Sequence, residues 1–307
     1  DGDAPIAWVL AHLPGDAVGP GEAPPVPVVR DDNVVFESGG SLRVYHPSNA
    51  VLVGSVAAPE LSLLDDLGET TGTLVAGFID DTSLRLYSVA TPSAPIAGGV
   101  VTLAPGLHVE RVLAVGNTLV IDEHDDLDQH SALLVDAANV QTPTTIVEAP
   151  IDGPIVAVTS TPTTIWIAGP GNLHGETLSG AALGDAASVP FDAADVVDLV
   201  RIADGVAVIH ASDALSVVRL TGATATAGPV ATTFGPVTIA GSAPGLIAVL
   251  IGTSVAGVVT VDDTGALSAP VFATGTAATQ RALFTTNEVL FAGSGEGFVP
   301  LPLTCAP

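Results

Sequence analysis

The sequence predicts an all-β fold, and three observations support this. A short strand-like segment recurs near residues 41, 83, 131, 172, 214, 255 and 297, with intervals of 42, 48, 41, 42, 41 and 42 residues. Each interval contains four short runs rich in Val, Ile and Thr, and helical periodicity is missing from these runs. Four strands in a repeat of roughly 42 residues are typical of a propeller blade. We therefore predict a seven-bladed β-propeller of four-stranded blades.

The fourth repeat shows the pattern within one blade. Its four runs are IVAVTST (155–161), TIWIAG (164–169), NLHGETL (172–178) and AASVPF (186–191). Gly, Pro, Asn and Asp separate the runs, as they do in the turns between antiparallel strands. We expect the third strand of each repeat near 41–45, 83–87, 131–135, 172–176, 214–218, 255–259 and 297–301.

The two ends of the chain predict how the ring closes. The last repeat supplies three runs, 281–286, 288–293 and 297–303, and then the chain ends. An extra run, IAWVLAHL at 6–13, precedes the first repeat. We predict that 6–13 is the outer strand of the last blade, because closure of this kind removes an open sheet edge. Residues 1–307 would then form one domain.

The second repeat carries a resemblance to a known family. It reads SLRLYSVATPSAPIAGGVVTLAPG (83–106), and it resembles the LVIVD-type repeat of bacterial secreted propellers. In that repeat a strand ends in a small polar turn, and a Pro-containing step and a Val-rich outer strand follow. The third repeat, LLVDAANVQTPTTIVEAPIDG (133–153), shares the pattern more loosely. The resemblance implies a propeller fold and a cell-surface or extracellular location, and it implies no activity.

Composition narrows the classes of partner. The chain has 33 acidic residues, 7 basic residues and a net charge of −26. Such a surface repels nucleic acid and anionic lipid, so we expect neither partner. No uninterrupted apolar run reaches the roughly 20 residues of a membrane-spanning helix, so we expect no membrane insertion. The chain begins at Asp1, which we interpret as the start of a processed, exported mature chain.

The third repeat contains the candidate site. It is six residues longer than most of the others, and the segment 122–130 is rich in carboxylates and imidazoles. Alternating oxygen ligands such as Asp126 and Asp128 suit Ca²⁺, whereas His124 and His130 with a carboxylate suit Zn²⁺ or Cu²⁺. The predicted metal ligands are Asp122, His124, Asp126, Asp128 and His130.

The alternative interpretation of 122–130 is a solvated acidic hairpin without metal. The segment lacks the Gly and terminal Glu of a common Ca²⁺ loop, and it lacks a Cys or a third nearby His. The remaining histidines show no common register and are expected to be scattered over the molecule; they are His12, His46, His108, His174 and His210.

Catalytic motifs are missing from the sequence. It contains no Gly-x-Ser-x-Gly elbow and no His-Glu-x-x-His pair. We therefore expect a non-enzymatic extracellular or cell-surface scaffold that binds a protein partner or assembles with copies of itself. The alternative is a metal-dependent enzyme, or a Ca²⁺-stabilised lectin-like binder, that uses the acidic hairpin 122–130.

Overall fold

A computed structural model describes residues 28–30, 33–37, 40–46, 51–60, 63–64, 74–233, 235–252, 255–272, 279–284, 288–293 and 298–302. In these residues all regular secondary structure is β, which confirms the all-β prediction. The run 6–13, predicted to close the ring, lies outside the described residues. The chain divides into two compact units. The first consists of the residues up to Val158 together with Leu178–Leu183, and the second consists of Thr159–Thr177 together with the residues from Gly184 onward.

The first unit contains antiparallel sheets built from consecutive strands. Its strands are β1 (Val28–Arg30), β2 (Asn33–Glu37), β3 (Ser41–His46), β4 (Val51–Ala57), β5 (Leu63–Leu64), β6 (Leu74–Asp80), β7 (Ser83–Ser88), β8 (Ile96–Thr102), β9 (Leu107–Val115), β10 (Thr118–Asp125), β11 (His130–Asp136) and β12 (Thr144–Pro150). The sheet orders are β1-β2-β3-β4, β5-β6-β7-β8 and β12-β11-β10-β9.

The next sheet along the chain contains four strands. This sheet has the order β13-β14-β15-β16, with β13 (Ile155–Thr159), β14 (Thr164–Gly169), β15 (Asn172–Ser179) and β16 (Ala182–Pro190).

The second unit repeats the architecture of the first. Its further strands are β17 (Val196–Ile202), β18 (Gly205–His210), β19 (Ala214–Thr221), β20 (Thr224–Ala227), β21 (Ala231–Thr232), β22 (Val237–Ala243), β23 (Leu246–Ile251), β24 (Val255–Thr260), β25 (Val271–Phe272), β26 (Thr279–Phe284), β27 (Glu288–Gly293) and β28 (Phe298–Pro302). They form sheets in the orders β17-β18-β19-β20, β22-β23-β24-β25 and β26-β27-β28, and β21 also pairs with β19.

Each unit has an apolar core between neighbouring sheets. In the first unit, Leu84 and Leu86 of β7 pack in one cluster with Leu119 and Ile121 of β10. In the second unit, Leu215, Val217, Ile247 and Val249 share a comparable cluster. Middle strands such as β18 are buried along almost their whole length because both of their faces meet apolar side chains. Full burial of each such side chain contributes about 1.5–3 kcal/mol, so these contacts hold the sheets together.

The Pro-containing segment between the third and fourth strands of a sheet lies against the outer strand of the preceding sheet. The Gly99 N–H donates a hydrogen bond to the Val140 carbonyl oxygen at 2.8 Å. A Cβ atom on Gly98 would collide with the same oxygen, and one on Gly54 would collide with the Pro92 carbonyl oxygen. Glycine in β4 and β8 therefore permits a close backbone approach that partly covers these two sheet edges.

A search of the described residues for membrane spans finds no helix with the necessary length and apolarity.

Candidate functional site

The segment 122–130 extends two strands and has only a short turn between them. Asp122 to Asp125 form the end of β10, His130 begins β11, and residues 126–129 make the turn. We expected the additional residues of this repeat in the hairpin between the second and third strands. In the structure most of them lengthen the paired part of β10, which continues to Asp125. The pairing of β10 with β9 shifts between Asp122 and Glu123, where Glu110 is the additional residue of a β-bulge.

Asp122 is a buried acceptor that orients a histidine. It is 1% exposed, its Oδ2 accepts the backbone N–H of Ile155 at 2.7 Å, and its Oδ1 lies 2.8 Å from Nδ1 of His130. Burial raises the pKa of Asp122, and the hydrogen bonds from His130 and Ile155 act in the opposite direction. Both oxygens of this carboxylate are already used within the protein, so its role is to position His130.

Glu123 is buried next to Asp122, and among the described residues its hydrogen-bond partner is Ser131. Its Oε1 accepts a hydrogen bond from the Ser131 hydroxyl at 2.9 Å. Burial raises the pKa of Glu123, and the charges of Glu148 and Asp122 raise it further, against the hydrogen bond from Ser131. Glu123 therefore carries its charge at a cost in folding free energy.

The turn of the hairpin is closed by Asp125. Its Oδ1 accepts the N–H groups of Leu127 and Gln129 at 2.8 and 3.0 Å, and its Oδ2 accepts the Gln129 side-chain amide at 3.1 Å. These hydrogen bonds lower the pKa of Asp125. The turn also places Asp128 in the left-handed region at φ 61° and leaves Leu127 77% exposed.

Three histidines lie side by side across β9, β10 and β11. His124 is opposite His108 in β9 and opposite His130 in β11. The ring centroids are 5.8 Å apart for His108 and His124, and 5.9 Å apart for His124 and His130. We call these three residues the histidine row.

From the sequence we expected His108 to lie apart from the candidate site. The structure instead aligns it with two predicted site residues, His124 and His130. The turn at Gly116 and Asn117 could have predicted this alignment. Residues at equal distances before and after the turn are paired, and one bulged residue then places 108 opposite 124. The bulge at Glu110 hides this relation from simple counting.

Each ring of the histidine row is held at Nδ1 by an oxygen atom. The distances are 3.0 Å from His108 to Asp81 Oδ2, 3.2 Å from His124 to the Asp125 carbonyl oxygen, and 2.8 Å from His130 to Asp122 Oδ1. Each Nε2 faces a carboxylate at a distance longer than a good hydrogen bond: 3.4 Å from His108 to Asp126, 3.6 Å from His124 to Glu110, and 3.6 Å from His130 to Asp128.

The structure thus brings all five predicted ligands to one end of the sheet and adds His108, Glu110 and Asp81 to them. In the part of the chain that the structure describes, no group of three or more His, Cys, Asp or Glu side chains converges as a metal site. Asp126 and Asp128 are both 89% exposed at the side chain, so the outer carboxylates are unburied.

No protein-family model and no curated protein matches the sequence. Solved structures match over most of the chain. BamB from Moraxella catarrhalis is 13% identical with a TM-score of 0.52, over 92% of this chain and 83% of that one. The Dos1 propeller is 10% identical with a TM-score of 0.58, over 88% and 74%. BBS1N, solved in complex with ARL6DN, is 12% identical with a TM-score of 0.55, over 90% and 89%. These likenesses support a β-propeller fold and carry no information about activity.

Proposed function

We propose that this protein is an extracellular or cell-surface interaction scaffold, a closed seven-bladed propeller without catalytic activity. It binds protein, either another chain or a copy of itself, through the outer strands β4 and β8 of its first unit. The observation that carries this proposal is the absence of charge on the outer strands β4 and β8.

These two strands carry no charge, although the neighbouring backbone covers their edges only in part. Their sequences, VLVGSVA and IAGGVVT, contain no charged residue, in a chain that has 33 acidic residues elsewhere. Leu52 is 48% exposed and Ile96 is 52% exposed, and Val100 is also exposed. Natural edge strands usually carry charges, especially Lys, that discourage pairing with other chains. Exposed apolar surface of this kind is typical of protein-binding sites.

The charge of the chain favours a protein partner over the other classes. A net charge of −26 opposes contact with nucleic acid and anionic lipid, whereas apolar strands without charge allow a protein to approach with little repulsion. BBS1N, which has a similar fold, was solved with a protein partner, and this supports the proposal by analogy alone.

The resemblance of residues 83–106 to the LVIVD-type repeat of bacterial secreted propellers supports the proposed location. The absence of Lys and the low share of charged residues, 13%, are consistent with it. Completion of the last blade by 6–13 is part of the same proposal. The outer strands β4 and β8 of the first unit would remain as binding surface.

Self-association is the first test. We expect wild-type protein to show a weight-average mass that rises with concentration in sedimentation equilibrium, and the double variant Leu52→Lys/Ile96→Lys to remain monomeric. Thr145→Lys places a single lysine on the exposed face of β12 without removing apolar surface, so it should behave as wild type. A wild-type protein that is monomeric at every concentration would contradict self-assembly.

Binding of another protein is tested with the same variants. Wild type and Thr145→Lys should retain one defined protein from the native extracellular material, and Leu52→Lys/Ile96→Lys should not. Equal retention by all three would exclude β4 and β8 as the binding surface.

A further inference from the structure

We propose that His124 and His130 bind one divalent transition-metal ion, of the Zn²⁺, Ni²⁺ or Cu²⁺ class, through their Nε2 atoms, with Asp128 as a third ligand. This site is built from β10, β11 and the turn between them, and it does not depend on the proposed scaffold function. It also differs from an oxygen-ligated Ca²⁺ loop, because imidazole nitrogens are its main donors.

The first argument is the way the two rings are held. A metal-binding histidine commonly donates its other N–H to a carboxylate or a backbone carbonyl, which fixes the tautomer and leaves one nitrogen for the ion. His130 meets this condition through buried Asp122, and His124 meets it through the Asp125 carbonyl oxygen. In both rings the nitrogen left for an ion is Nε2.

The second argument is the spacing of the rings. Two imidazoles that share an ion at an N–metal distance of about 2.0–2.1 Å have ring centroids about 5 Å apart at a tetrahedral angle. The centroids of His124 and His130 are 5.9 Å apart. In the present side-chain positions Nε2 of His124 faces Glu110 and Nε2 of His130 faces Asp128, so the rings must rotate to bring both Nε2 atoms to one ion. The strand pairing of β10 with β11 keeps the two rings adjacent during this rotation.

The third argument is the position of Asp128. Its Oδ1 lies 3.6 Å from Nε2 of His130, and its side chain is 89% exposed and able to rotate. Ligands of two imidazoles and one carboxylate suit Zn²⁺ and other first-row divalent ions, with water in the remaining position. Ca²⁺ is disfavoured because Asp125, the carboxylate at the centre of the turn, already accepts three hydrogen bonds.

The test uses the full chain, stripped of metal by chelator and then dialysed against Zn²⁺ or Ca²⁺. At about pH 7.5, wild type should retain one Zn²⁺ per chain by elemental analysis and no Ca²⁺. Retention of Ca²⁺ but not Zn²⁺, or of neither ion, would overturn the proposal.

Variants assign the ligands. His124→Gln and His130→Gln should each weaken Zn²⁺ binding at least 100-fold. His108→Gln, in the same row, and His210→Gln, at the end of another second strand, should bind Zn²⁺ within about threefold of wild type. Loss of binding in His108→Gln with retention in His130→Gln would overturn the assignment of the pair.

A spectroscopic measurement on wild-type protein tests the ligands independently of whether a variant folds. With Cu²⁺, wild-type protein should show nitrogen hyperfine structure from two imidazoles in its electron paramagnetic resonance spectrum. A spectrum that contains oxygen ligands only would refute the proposal whatever the stability of the variants.

Discussion

Two histidines occupy corresponding places in two sheets and have different surroundings. His124 lies near the end of β10, the second strand of its sheet, and His210 ends β18, the second strand of another. His210 is opposite Val196 and Ala214, whereas His124 is opposite His108 and His130.

The partners of the ring nitrogens differ in the same way. In His210, Nδ1 lies 2.8 Å from Asp195 Oδ2 and Nε2 lies 2.9 Å from the Ser216 hydroxyl, so both nitrogens have close partners. In His124, Nδ1 lies 3.2 Å from the Asp125 carbonyl oxygen, whereas Nε2 faces Glu110 at the longer distance of 3.6 Å.

The residues before the two histidines extend this contrast. Ile209 and Leu215 form an apolar cross-strand pair next to His210, and Glu123 and Ser131 form a polar pair at the corresponding place next to His124. The comparison teaches that this strand position accommodates either a histidine with close partners at both ring nitrogens or one whose Nε2 has only a distant carboxylate. The neighbouring strands decide which of the two it becomes.

The largest effect should come from removing the buried carboxylate beside the histidine row. Asp122→Ala leaves the Ile155 N–H and the His130 ring without their acceptor in a buried place. We expect a loss of about 3 kcal/mol or more in the free energy of unfolding, measured with urea. Asp122→Asn keeps an acceptor for Ile155 and should lose clearly less. Equal losses in both variants would show that shape and not hydrogen bonding matters here.

The two histidines themselves should differ in their contribution to stability. His210→Ala removes two short hydrogen bonds and should lower the free energy of unfolding by about 2 kcal/mol. His124→Ala removes one longer hydrogen bond and should lower it by less than about 1 kcal/mol. The same urea titrations measure both, and the reverse order would contradict our distinction between a structural and an open histidine.

Glu123 allows a test of pH dependence. Burial raises its pKa, so the folded chain holds this proton more tightly than the unfolded chain does. The stabilising contribution is therefore present below the pKa of an unfolded glutamate, about 4.3, and is lost as the pH rises through the raised pKa.

Glu123→Gln avoids the buried charge and keeps an acceptor for Ser131. We expect it to be more stable than wild type at pH 7 and equal to it near pH 4, in urea titrations at the two pH values. Asp152→Asn, at an exposed carboxylate, serves as the control and should show no such difference. A variant less stable than wild type at pH 7 would show that the Glu123 charge has a favourable role.

The smallest effect is expected at the tip of the hairpin. Leu127→Ser changes a side chain that is 77% exposed, and we expect a change in unfolding free energy within about 0.5 kcal/mol. Zn²⁺ retention should also be unchanged. A larger loss of stability would contradict the exposed position of Leu127.

Much of the fold was predictable because its signals are local. Short runs such as those around Trp166 and Val208 alternate with Gly, Pro and Asp turns, and strand and turn preferences act over a few residues. The end of β10 was less predictable, since Asp122 and Glu123 are charged and yet buried. Their burial depends on Ile155, His130 and Ser131, which no local pattern connects to them.

The sequence by itself determined the β class, the repeat and the concentration of carboxylates and imidazoles in 122–130, because these follow from composition and spacing. The tertiary structure decided that His108 joins His124 and His130, since the bulge at Glu110 sets the register. It also decided that Asp122 faces inward to the Ile155 N–H. Register and burial arise from contacts between residues far apart in the chain, and the free energy of those contacts is absent from any single repeat.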